Sequence, residues 1–278
     1  RKMDVPLGLI FPVTSERIES VGILTESEKD TEVTMHLRKT KRTCDFIDES
    51  DISSVTQQVA AGQKSWIDFH LSEKTDPGSL YWIAIDRNPD ITVFGNDEVP
   101  PTGIVTIHKP FKRWHYLKPV MNWNNLKPVH EKWNLSLRIN PVQYPYEGGN
   151  ILSGVSRPDT WTNIWISNPE KSFPQYAILE FNSPVSFTYV SLTFDTNLGL
   201  FPNLHMKPLQ AQNETVRDYR LLIESEGRWK EIGTFRNNYL RFKVHKFPEI
   251  TTGKIKVEVL SAWGDKSARI FEIRVYNE

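Results

Sequence analysis

Apolar and polar residues alternate over runs of four to eight positions, and Gly, Pro, Asn, Asp or Ser interrupt the runs. That pattern predicts strands rather than helices. In the first half the predicted strands cover 17–24, 32–37, 65–71, 80–86, 91–94 and 103–108. Over 65–71, Trp66, Asp68 and His70 share one face while Ile67, Phe69 and Leu71 share the other, so one side of that strand is wet. Asp76-Pro77-Gly78 and Arg87-Asn88-Pro89-Asp90 supply turn residues on either side of 80–86. In the second half the predicted strands cover 176–181, 187–194, 218–224, 228–235, 240–244, 254–260 and 268–276. Within 254–260, Ile255, Val257 and Val259 point one way and Lys254, Lys256 and Glu258 the other, as in an antiparallel strand with one solvated face.

Short strands at close spacing, with almost no segment that reads as a long amphipathic helix, predict an all-β chain of two tandem antiparallel β-sandwiches of jelly-roll type, residues 1–140 and 141–278. Between them, 109–146 contains Pro110, Pro119, Pro128, Pro141 and Pro145 and shows no sustained period. Seven basic residues there are interleaved with Phe111, Trp114, Tyr116, Trp123, Trp133, Tyr144 and Tyr146. At about 25 cal/mol per Å² of apolar area, leaving several such rings in water would cost several kcal/mol, so this connection is expected to pack on a neighbouring domain.

Composition narrows the class. The 278 residues are 38% hydrophobic and 24% charged, with 34 basic side chains against 34 acidic ones, which excludes a disordered chain. The balance holds in each half, 18 basic to 19 acidic in 1–140 and 16 to 15 in 141–278, so the basic run 38–42 is expected to be a solvated face and no nucleic acid partner is expected. Cys44 is the single cysteine: no internal disulfide can form, and it is expected to be an incidental loop residue. No run approaches the roughly 18 apolar residues of a membrane span, and the N-terminus lacks the apolar core of a signal peptide, so no membrane insertion is expected. A chain beginning Arg1-Lys2-Met3 is expected to be a piece of a longer polypeptide.

Three groups of residues carry a resemblance: 150–158 (NILSGVSRP), 165–169 (WISNP) with 174–181 (PQYAILEF), and the terminal 270–276 (IFEIRVY). Together they resemble discoidin-like domains (coagulation factor 5/8 type C) of galactose-binding-like fold. Further segments, 192–198 (LTFDTNL), 214–221 (ETVRDYRL), 237–247 (NNYLRFKVHKF) and 264–276, look like the C-terminal region of a family of bacterial FAD-dependent oxidoreductases. The resemblance spans about 148–278 and implies a galactose-binding-like second sandwich. It also implies a non-catalytic accessory region of a larger bacterial protein, serving in domain docking or carbohydrate recognition. The FAD would belong to a missing upstream domain, because this chain has no Gly-rich GxGxxG turn for a pyrophosphate. The upstream domain is then a partner, and a periplasmic or secreted location is favoured through the parent. A free-standing tandem carbohydrate-binding protein of a polysaccharide-degrading bacterium is the alternative, and a glycoside-acting enzyme the third.

For catalysis, GxxxxGK[ST], GxSxG, HExxH and CxxC are all absent, so this fragment is not expected to be an enzyme. Asp195, Asp218 and Glu224 are carboxylates that glycoside chemistry would need as a pair, but sequence does not give their separation. A sugar site needs an aromatic platform with polar groups beside it. Trp161 and Trp263 in loops, with Arg217, Arg241, His245 and Asp265, are the candidate ligand-binding residues. Trp165 and Trp229 are expected to plug the core or its rim. The resemblance also implies a structural calcium, with Glu272 at the matching position before the last strand, although Ser153-Gly154 stands where an Asp-Gly is common. No other cofactor is expected, and the seven histidines show no ligand spacing.

Overall fold

The computed structural model describes residues 2–4, 6–42, 50–96, 105–108, 123–124, 134–196 and 211–277. Cys44, His205 and most of the aromatic and basic connection lie outside the described residues, and the expectations placed on them lie outside too. Two compact units emerge, residues 1–145 with 159–161 and residues 146–158 with 162–278. The fold is all-β with antiparallel pairing; among the described residues helical structure is confined to one 3-10 segment, Gly148–Leu152.

The first unit runs through β1 (Lys2–Met3), β2 (Leu7–Val13), β3 (Arg17–Ser27), β4 (Thr31–Thr40), β5 (Asp51–Val59), β6 (Gly62–Lys74) and β7 (Ser79–Ile85). It continues with β8 (Asn88–Val93), β9 (Gly95–Asn96), β10 (Val105–His108), β11 (Trp123–Asn124), β12 (Asn134–Leu135) and β13 (Leu137–Asn140). One sheet has the order β11-β10-β2-β7-β4-β5; in the other, β3 is bordered by β6, β8 and β13. Alternation decides the inner faces: Ile67 and Phe69 of β6 and Val21 and Ile23 of β3 meet Leu9, Phe11, Met35 and Ile83 of the facing sheet in one core.

β2 is a strand that alternation does not reveal, because it is buried along its whole length. Leu7, Leu9, Phe11 and Val13 face the main core, while Ile10 joins Leu80, Trp82 and Ala84 in a smaller cluster on the opposite face. A strand covered on both sides reads as a continuous apolar run.

In the second unit β14 (Trp165–Ile166), β15 (Gln175–Phe194), β16 (Val216–Ser225), β17 (Arg228–Phe235), β18 (Phe242–Ala262) and β19 (Arg269–Tyr276) form a sheet of order β14-β19-β15-β18-β16-β17. Two expectations need correcting here. The predicted strands 176–181 and 187–194 are one strand, β15, and 240–244 and 254–260 are one strand, β18. Pro184 and Pro248 read as breaks, but each sits where the β15–β18 register shifts, so the missing N–H falls in a bulge while the strand continues. Beyond those bulges the sheet closes over itself. Val190, Leu192, Phe194 and Ile270 from one half share a single core with Tyr219, Leu221, Ile255 and Val257 from the other, and the Phe194 and Tyr219 rings meet at 5.0 Å.

Candidate functional site

At one end of the second unit three loops are tied together by main-chain hydrogen bonds. After β18, Trp263 N–H donates to Thr215 O (3.2 Å), and Gly264 and Asp265 N–H groups donate to Asn213 O (3.0 and 2.9 Å). The loop between β17 and β18 joins them: Asn238 N–H donates to Arg217 O, and the Asn238 amide donates to Val216 O at 2.8 Å and Leu240 O at 3.2 Å. A side chain at Gly264 would collide with Asn213, its β-carbon 2.7 Å from the amide, so glycine lets these two loops touch.

Trp263 is the centre of this arrangement. Its Nε1–H donates to Asn238 O at 2.6 Å, which fixes the ring, and the residue is still 39% exposed. The Arg217 guanidinium stands 5.8 Å from the ring centroid, within cation–π range. Arg217 is itself oriented by Asp218 (Nε to Oδ2, 3.0 Å). Burial alone would raise the Asp218 carboxyl, but hydrogen bonds from Asn237 N–H, Ser261 and Arg217 outweigh it and hold it below the usual carboxylate range. Tyr239 and Leu240, exposed beside Asn238, complete a rim of apolar and polar groups.

The other candidates fall into supporting positions. Asp265 pairs with Arg269 at 2.5 Å, and Arg269 reaches Asp195 at 3.5 Å, a nearly buried triad beneath the loop. Arg241 donates to Phe194 O at 3.0 Å and to Ser156 O, and lies 4.7 Å above the Phe271 ring. Burial lowers its pKa against the attraction of Asp195, and its two terminal nitrogens donate to main-chain carbonyls. His245 is buried, stacked on Phe235 at 3.6 Å, with Nε2 2.7 Å from the Tyr219 hydroxyl. Burial, helped by nearby Lys243, pulls its pKa down to about 4, so it is a neutral core group instead of a surface donor. Trp161 belongs to the first unit, packed against Ile10, Leu80, Trp82 and Ala84. Of the two expected plugs, Trp165 packs against the core, whereas Trp229 lies on an exposed sheet face 4.3 Å from the Lys256 ammonium. Asn238 and Asn213 carry no pattern that marks them in sequence, apart from adjacent Asn237 suiting a left-handed turn (φ 54°).

Glu272 is paired with Arg274 at 2.7 Å. The Arg274 guanidinium also lies 3.3 Å from where a β-carbon on Gly154 would stand, so an internal cation already sits between the two segments implied to hold calcium. Among the described residues no group of three or more His, Cys, Asp or Glu gathers to hold a metal.

No protein-family model and no curated protein matches the chain. Among solved structures, the family 32 carbohydrate-binding module from Clostridium perfringens NanJ in complex with galactose matches at 17% identity and TM-score 0.37, over 48% of this chain and 86% of that one. The family 32 module from Streptococcus pneumoniae EndoD matches at 16% identity and TM-score 0.38, over 49% and 89%. SpGH29 matches at 18% identity and TM-score 0.37, with 49% of this chain aligned to 25% of that one.

Proposed function

We propose that the second unit is a non-catalytic carbohydrate-binding domain whose ligand rests on Trp263. The observation that carries this reading is a tryptophan ring held rigid by its own Nε1 bond, exposed at a loop end and flanked by Arg217. Such a ring presents an apolar platform to the C–H face of a sugar at little entropic cost, while Arg217 supplies donors to hydroxyls. The motif resemblance of 148–278 points the same way and adds that the chain is an accessory region of a larger protein with a flavin-containing upstream domain. The upstream coding sequence tests that part. The present chain offers FAD no Gly-rich turn, so the purified protein is expected to be colourless.

The test is a glycan array probed with the native chain and Trp263→Ala. Binding is expected to at least one glycan, weakened about tenfold or more by the substitution, equivalent to about 1.4 kcal/mol. An array on which every signal survived the substitution would remove Trp263 from the site, and hydrolysis of any probed glycan would overturn the non-catalytic reading.

A further inference from the structure

In the first unit, the wet face of β6 forms a second assembly. Register places Gly22 of β3 beside both Asp68 of β6 and Arg138 of β13, Ser20 beside His70 and Asn140, and Leu24 beside Trp66. Arg138 Nε donates to Asp68 Oδ1 at 2.9 Å and its Nη2 donates to Oδ2, a two-pronged pair lying across the β3 backbone. The same guanidinium sits 4.7 Å from the Trp66 ring centroid. Gly22 makes the arrangement possible, since a β-carbon there would stand 2.5 Å from Asp68 Oδ1 and 2.7 Å from Arg138 Nε. Glycine inside a strand is unfavourable, by at least as much as an exposed ion pair usually returns, so stability alone is a poor account of it.

We propose that this face is a saccharide-binding surface, taking a neutral sugar against Trp66 with its hydroxyls on the Asp68–Arg138 pair. The charge on the pair is balanced, so it draws neither an anion nor a cation preferentially. It sets guanidinium donors next to carboxylate acceptors, and a vicinal diol, whose hydroxyls each donate and accept, matches both. Trp66, 39% exposed, gives the apolar flank. His70 and Asn140, both exposed in the neighbouring row, extend the polar edge.

The proposal is tested on the full chain with an array of neutral, sialylated and sulfated glycans, comparing Trp66→Ala, Arg138→Lys and Trp263→Ala. The expected result is at least one neutral glycan whose signal survives Trp263→Ala but falls tenfold or more in Trp66→Ala and in Arg138→Lys, which keeps the charge and removes the fork. Trp66→Tyr, retaining a ring, is expected to restore part of the binding, and it carries the test if Trp66→Ala fails to fold. Signals lost in Trp263→Ala alone, signals confined to sialylated or sulfated glycans, or an empty array would each overturn this site. The first of those leaves the second-unit reading intact, whereas an array whose every signal depends on Trp66 and Arg138 and none on Trp263 would sink that reading and keep this one.

Discussion

Arg269 and its two carboxylate partners, Asp265 and Asp195, have side chains exposed by only 9%, 16% and 10%. Attraction in such a place does little more than offset the desolvation of the three groups, but removing one member leaves the others uncompensated. Arg269→Met is therefore expected to cost about 3–5 kcal/mol at neutral pH, measured by urea denaturation. A change below about 1 kcal/mol would show that water reaches the triad. His245 gives a separate pH signature. Its folded pKa of about 4 lies below the ordinary value of 6.5, so protonation favours the unfolded chain. The His245 contribution is complete above pH 6.5 and is lost as pH falls from 6.5 toward 4. His245→Phe is expected to flatten the melting temperature across that window relative to the native chain, and an unchanged slope would contradict the buried, neutral assignment.

At the scale of elements, the Asn238 side chain braces the loop between β17 and β18. Asn238 donates to Val216 O and Leu240 O and accepts from Leu240 N–H, so Asn238→Ala leaves main-chain groups without partners at an expected cost of about 1–3 kcal/mol. Because Trp263 Nε1 bonds the Asn238 carbonyl, the same variant is expected to loosen the ring and shift tryptophan emission to the red; a native spectrum would mean that the ring is held by other contacts. Sequence made the amphipathic strands visible: β3, β4 and β6 contain stretches where apolar and polar positions alternate, and β7, buried on both faces, was marked by the turn residues on either side of it. It missed β2, whose two buried faces erase the alternation, and it split β15 and β18, where prolines mark bulges instead of ends. The candidate site was legible in the same uneven way. Trp263 announces itself by residue type and loop position and Arg217 by residue type, but nothing local tells Arg241 or His245 whether a neighbour has already claimed their polar atoms.

Across the whole molecule, each unit owns a core. Phe69 lies fully buried among residues of the first unit alone, and Phe187 fully buried among residues of the second. A domain that buries its own apolar surface unfolds as its own cooperative step, and joining two such domains breaks the two-state approximation for the chain. Calorimetry is expected to resolve two transitions. Phe69→Ala and Phe187→Ala, each worth about 3–5 kcal/mol for a buried phenylalanine, are expected to lower different ones. The assignment bears on the two proposed sites, because a glycan held at Trp66 stabilises the unit that Phe69 reports, and one held at Trp263 the unit that Phe187 reports. A ligand that raised both transitions equally, or a single transition lowered by either substitution, would show that the cores fold as one cooperative body and that ligand-induced shifts cannot be used to tell the two surfaces apart.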